Sequence, residues 1–200
     1  RSRHDAPDLF RAIARKAPPL LHQFESRDLA SMVFSFAKAG CTERALFAAI
    51  ANEALRRLCG GHSHGFNLKD LDNIAWAFSK ACHPARELLK AIAAEAVSRL
   101  RDTSRASECT VLGLNRLAWA FSVADYAPQE LFDAIAVAAA RLLCSIDNQD
   151  LNIERCSLAW AFAAANHPAP ELFNSQFVAQ LYSATEKQVG LAGLSELHQW

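Results

Sequence analysis

Four near-copies of one short segment constrain this chain more than any other feature. "MVFSFAKAG" at Met32–Gly40 is followed by "NIAWAFSKA" at Asn73–Ala81, "RLAWAFSVA" at Arg116–Ala124 and "SLAWAFAAA" at Ser157–Ala165. Aligned on Phe34, Trp76, Trp119 and Trp160, they recur at intervals of 42, 43 and 41 residues. A second element keeps step: "PDLFRAIA" from Pro7, "RALFAAIA" from Arg44, "RELLKAIA" from Arg86, "QELFDAIA" from Gln129 and "PELFNSQF" from Pro170. Repeats of this length each form one supersecondary unit that buries its apolar face only by stacking on neighbours.

Each unit reads as two helices. Helix A begins at the Glu-Leu-Phe element and runs about sixteen residues. Helix B carries Ala-Trp-Ala-Phe. Alanine is about a fifth of the chain, and only seven Gly and seven Pro interrupt it. Ala loses no side-chain entropy in a helix, and no segment alternates as a half-buried strand does. The expected fold is all-α: a right-handed α-solenoid of about four helix-turn-helix repeats of 41–43 residues plus a terminal helix. The boundaries fall near 6–41, 42–83, 84–126 and 127–167, with a partial unit over 168–200, and the whole is expected to form one repeat domain.

Punctuation agrees. Gly40, Asp125 and Asn166 stand just past helix B, where a left-handed backbone is wanted; Cys82 holds that place in the second copy and suits it less. Pro84, Pro128 and Pro168 follow, beyond the old helix and ready to start the next. Thr42 is the expected cap of the second helix A. In the fourth copy Arg155 replaces the leading Leu of helix B, which predicts a later start there.

With Leu71 at 0° and 100° per residue, Ile74, Ala75 and Phe78 fall within about 60°, while Trp76 lies near 140°. Leu29/Met32/Val33/Phe36 and Leu114/Leu117/Ala118/Phe121 repeat the stripe. Apolar groups on two sides require packing on two sides, so the Trp rings are expected to lie between successive repeats rather than to stack on a ligand.

The six cysteines, at 41, 59, 82, 109, 144 and 156, form no C-x-x-C pair and read as small buried hydrophobes. Cys59, His62 and His64 in "CGGHSHGF" lack a fourth ligand at metal spacing, so the segment reads as a surface loop and no metal or cofactor is expected. The connections around Thr103–Ser107 and Ile146–Asp150 read as loops too. No phosphate loop, G-x-S-x-G or H-E-x-x-H is present, which argues against an enzyme and a small-molecule substrate. No apolar run nears the ~20 residues that span a bilayer. The chain opens on Arg1 rather than Met, which reads as a processed chain or a piece of a longer one.

Lys and Arg number 21, as do Asp and Glu. The balance is +4 over residues 1–58, +1 over 59–110 and −5 over 111–200. Helix B varies between copies opposite the core stripe: Ser31, Ser35 and Lys38; Asn73, Ala77 and Lys80; Arg116, Ala120 and Val123; Ser157, Ala161 and Ala164. Variation on a fixed scaffold suits reading of successive bases, with Asn and Ser on base edges and Lys and Arg on phosphate. Helix A adds Arg11, Arg15, Lys16, Arg56, Arg57, Lys90, Arg99 and Arg141. The candidate RNA-binding set is Ser31, Lys38, Asn73, Lys80, Arg116, Ser157, Arg56, Arg57 and Lys90. A solvated face of a protein-binding scaffold is the alternative.

The pattern F-x-x-x-D-L-x-N-x-A-W-A-F-x-K-A, with H-P-A-x-E-L and A-I-A-x-E-A-x-x-R-L, resembles the octotricopeptide (OPR) repeat class over residues 6–186. It is also similar to the helical repeats of RAP-domain proteins. The closing "LAGLSELHQW" resembles the helix that often precedes a RAP domain. The resemblance implies an organellar protein, of chloroplast or mitochondrion, that binds single-stranded RNA in transcript processing, stability or translation. A protein-interaction scaffold or structural subunit of a large organellar assembly, without membrane insertion, is the other expectation.

Overall fold

The computed structural model describes residues 5–60, 65–145 and 152–182. Every regular element among them is helical: α1 (Asp5–Lys16), a 3-10 turn (Pro18–Gln23), α2 (Ser26–Lys38), α3 (Arg44–Cys59), α4 (Leu68–Lys80), α5 (Arg86–Arg101), a second 3-10 turn (Thr103–Glu108), α6 (Val111–Val123), α7 (Gln129–Ser145), α8 (Asn152–Ala164) and α9 (Ser175–Tyr182). The protein is an all-α helical repeat in which α1, α3, α5 and α7 are the A helices and α2, α4, α6 and α8 the B helices. The chain divides into two compact units, 1–96 and 97–200, with the boundary inside α5.

The repeat is kept to the residue in helix B. All four copies are 13 residues long, and each starts three residues before the leading core position, at Leu29, Leu71, Leu114 and Arg155. The expectation of a late start for α8 is therefore corrected. Arg155 occupies the leucine position inside an unshortened helix and is buried.

Capping fixes both ends. Asn67 Oδ1 accepts from the Asp70 N–H at 2.9 Å while Asp70 Oδ2 accepts from the Asn67 N–H at 3.0 Å, a reciprocal capping box. Asp28 accepts from the Glu25 N–H at 3.3 Å, and Thr110 Oγ1 accepts from the Gly113 N–H at 3.1 Å. At the other end all four B helices close in one Schellman motif. Gly40, Cys82, Asp125 and Asn166 all have φ between 49° and 70°. The following N–H groups, of Cys41, His83, Tyr126 and His167, donate to the Phe36, Phe78, Phe121 and Phe162 carbonyls at 2.9–3.2 Å. Cys82 is thus left-handed despite its side chain, in the same hydrogen-bonded turn that Gly40, Asp125 and Asn166 make.

The A helices match expectation in α3, α5 and α7, at 16, 16 and 17 residues. Two expectations fail. Glu43, not Thr42, is the N-cap of α3, and its side chain makes no capping bond. The fifth copy does not start its helix at Glu-Leu-Phe. Residues 170–173 form a turn, after Ala169 at φ 38°, and α9 begins once Asn174 Oδ1 accepts from the Phe177 N–H at 3.0 Å. Leu172 stays buried all the same.

Within a repeat, helices A and B meet through edge-on phenyl rings. Phe10–Phe36, Phe47–Phe78 and Phe132–Phe162 have centroids 4.8, 5.4 and 5.1 Å apart. His83 and His167, just beyond the B helices, add a third ring to two of these pairs, at 5.5–5.7 Å from both partners. Between repeats, B packs on B: α2 on α4 in the first unit and α6 on α8 in the second. The two alanines of Ala-Trp-Ala-Phe explain the closeness. Ala75, Ala77, Ala118, Ala120 and Ala161 are all buried, and Ser122 Oγ of α6 lies 2.7 Å from the Ala161 carbonyl of α8. Trp76 stacks obliquely on Phe34 at 4.9 Å, the inter-repeat ring contact expected from the helical wheel. Trp160, in the last B helix among the described residues, keeps half its surface in solvent.

The cysteine expectation is also corrected. All six thiols are free, only Cys109 is fully buried, and Cys59, Cys82 and Cys144 are exposed. Cys82 sits at a left-handed cap, and Cys59 and Cys144 lie on the solvent side of the last turn of α3 and α7. Replacing Cys82 with Gly removes an exposed side chain and relieves the left-handed penalty. Cys82→Gly is expected to raise unfolding free energy by about 0.5–1 kcal/mol, measured by urea denaturation, with Cys82→Ala giving no gain.

Candidate nucleic-acid interface

The expected reading stripe does not emerge as one accessible face. On α2, Ser31, Ser35 and Lys38 are exposed, although the Ser35 hydroxyl is already turned back onto the Ser31 carbonyl at 2.7 Å. On α4, Asn73 and Ala77 are buried and only Lys80 of the three is exposed. Nearly the whole circumference of α4 is covered, from Asp70 to Ser79. Arg116 and Ser157 are half-buried, and Ala120 and Ala161 are buried in the α6–α8 contact. The angular position opposite the core is solvent in an isolated hairpin, but it is a second packing surface once layers stack.

The helix A cations fare differently again. Arg11 lies 3.3 Å from Asp8 and Lys90 2.8 Å from Glu87, each one turn away on its own helix. Arg56 is exposed and meets Glu53 through Nη2–Oε1 at 2.8 Å and Nε–Oε2 at 2.9 Å. Arg99 is buried, with Glu108 at 3.3 Å. Arg15, Lys16 and Arg141 are exposed.

Arg57 is a clasp rather than a phosphate ligand. Its side chain is 12% exposed, and its Nε donates to Glu53 Oε1 at 2.7 Å. Its Nη2 donates to the Phe24 carbonyl at 2.7 Å and the Leu21 carbonyl at 3.1 Å, and Nη1 reaches Ser26 Oγ at 3.3 Å. Those acceptors close the 3-10 turn and open α2, so one guanidinium ties helix A of the second repeat to the first. Its fork supplies a donor to the Phe24 carbonyl and a second one to the Leu21 carbonyl, which also accepts from the Phe24 N–H at 3.2 Å. Gly65 seals the same spot: a Cβ there would stand 2.8 Å from Ser26 Oγ.

The signal for this clasp was present as spacing. Leu46, Ile50, Glu53 and Arg57 form one stripe of α3 at i, i+4, i+7, i+11. Leu88, Ile92, Glu95 and Arg99 repeat it in α5, with Leu88, Ile92 and Arg99 buried. A charge on an otherwise apolar stripe belongs to the packing surface, which counting cations along a helix overlooks.

Among the described residues no group of three His, Cys, Asp or Glu is placed to hold a metal ion. His62, His64 and the closing "LAGLSELHQW" lie outside them. No described helix is long and apolar enough to cross a membrane. The cleft between α7 and α9, lined by Leu143, Cys144, Leu172, Asn174 and Phe177, contains no acid–base pair. No family model matches this chain, and no curated protein matches it in sequence.

Two outcomes test the clasp. Arg57→Ala removes one of the two arginine partners of Glu53 and the guanidinium donor to the Phe24 carbonyl and Ser26 Oγ, and is expected to cost about 1–3 kcal/mol in denaturant unfolding. Arg56→Ala is expected to cost less, because Arg56 is exposed and Arg57 still pairs with Glu53. Glu53 is held at about 2 against an ordinary 4.5, chiefly by the Arg56 hydrogen bonds, with burial acting the other way and Arg57 adding to the depression. A depressed carboxylate stabilises above its unfolded pKa, so this contribution is complete above about pH 4.5 and is lost as pH falls towards 2. Glu53→Gln is expected to flatten stability against pH within that window.

Proposed function

We propose that this chain is a non-catalytic helical-repeat protein that binds single-stranded RNA in a chloroplast or mitochondrion, serving transcript processing, stability or translation. One observation supports this reading above the rest. Lys38 and Arg44 flank the turn from α2 to α3, and Lys80 and Arg86 flank the turn from α4 to α5, all exposed. The two cation pairs recur at one repeat interval, as a sugar-phosphate backbone crossing successive layers requires. The corresponding places in the next two copies are Val123 and Gln129, then Ala164 and Pro170. The proposed track therefore belongs to residues 1–96, which carry 14 Lys and Arg against 10 Asp and Glu, a balance of +4.

A protein-interaction scaffold is the second reading, favoured by the carboxylate partners of Arg56 and Lys90. Residues 97–200, at 7 basic against 11 acidic, suit a protein better than a polyanion.

Filter binding of short single-stranded RNAs at two salt concentrations tests the first reading. Saturable binding at low salt is expected. Lys38→Glu with Lys80→Glu should weaken it alike for all sequences and lower the salt slope by about two counterions. No saturable binding by the wild type at low salt rejects the proposal. A stoichiometric protein partner that survives RNase during co-purification establishes the scaffold instead.

A further inference from the structure

Two positions of helix B stay exposed on α2, α4 and α6 alike. They lie two residues before and nine residues after the leading core position: Arg27 and Lys38 on α2, Lys69 and Lys80 on α4, Leu112 and Val123 on α6. Eleven residues make three turns plus 20°, so both side chains of a helix leave from one face, about 16 Å apart along its axis. α2 and α4 carry cations at all four places, where α6 carries aliphatic residues.

α2 packs directly on α4, and Phe34 meets Trp76 at 4.9 Å from the same step of each helix. The four cations therefore form two rows, Arg27–Lys69 at the helix starts and Lys38–Lys80 at the helix ends, on axes about 8–10 Å apart. The carboxylates of the first turns are engaged as caps: Asp28 accepts from the Glu25 N–H and Asp70 from the Asn67 N–H. Between the rows α4 offers little to a base edge, since Asn73 and Trp76 are only 9% and 5% exposed. On α2 the Ser35 hydroxyl is already turned onto the Ser31 carbonyl. The surface thus presents two lines of positive charge at a fixed separation, suited to backbones rather than to bases.

We propose that residues 1–96 hold RNA as a hairpin stem, with one backbone on the Lys38–Lys80 row and the other on the Arg27–Lys69 row. This rests on the RNA reading above and names the form of RNA that fits it. One extended strand follows one row and leaves the other unused. A single-stranded transcript sets two backbones side by side only where it folds back on itself. A separation of about 16 Å is of the order of that between backbones across the minor groove of an A-form stem. That groove is wide and shallow, and proteins recognise it by shape and by phosphate and 2′-hydroxyl contacts.

Filter binding of a short RNA hairpin and of an unstructured RNA of equal length, each over a range of salt, provides the test. The wild type is expected to bind the hairpin roughly tenfold more tightly, with a salt slope steeper by about two counterions. Arg27→Glu with Lys69→Glu should bring the hairpin down to the level of the unstructured RNA and leave the latter unchanged. Lys38→Glu with Lys80→Glu should weaken both RNAs. All four sites are exposed, and an unchanged helical circular dichroism spectrum confirms folding. Should the first variant fold poorly, Arg27→Gln with Lys69→Gln serves by the same readout. Unstructured RNA bound as tightly as the hairpin overturns this inference and leaves the RNA reading standing. So does a hairpin preference that survives Arg27→Glu with Lys69→Glu, or a loss that is equal for both RNAs. Saturable binding of neither RNA by the wild type at low salt overturns the RNA reading and this inference together.

Discussion

Helix B is the structural spine because it is packed on more than one side. The Leu–Ile–Phe stripe meets helix A of its own repeat, and the small residues around the aromatic meet the B helix of the next. Closeness is what alanine supplies there: with Ser122 Oγ 2.7 Å from the Ala161 carbonyl, a larger side chain at either contact would push the layers apart. The identical 13-residue length of the four B helices follows from this. A helix in register with both neighbours cannot gain or lose a residue at one end without misplacing every contact beyond it. Capping boxes at α2 and α4, the Thr110 cap at α6 and the Schellman turns at all four ends set limits locally, even where the turn holds Cys82 or Asp125 in a left-handed backbone.

Charge is spent largely inside this scaffold. Arg57 spans the gap between two repeats and donates to the Leu21 and Phe24 carbonyls, with Glu53 neutralising it. The repeated Leu-Ile-Glu-Arg spacing in α5 places Arg99 in the same kind of buried setting. Lys38, Arg44, Lys80 and Arg86 stand exposed beside the B-to-A turns, where the chain reverses.

The sequence by itself determined the helices, their pairing into repeats and most of their limits. These depend on local quantities: alanine content, the 3.6-residue period, and the Gly, Asp and Asn turns repeated at 41–43 residues. It also placed Trp76 between layers, because two apolar sides on one helix admit few arrangements. Only the tertiary structure decided what the polar positions do. Asn73 and Arg57 read as solvent-facing along the chain, yet the first is buried on α4 and the second clasps two repeats. Conversely, Leu9 and Trp160 read as core and stand half in solvent. A residue's place on its own helix is set by periodicity, but its exposure depends on whether another layer lies against that face, which no window of sequence contains.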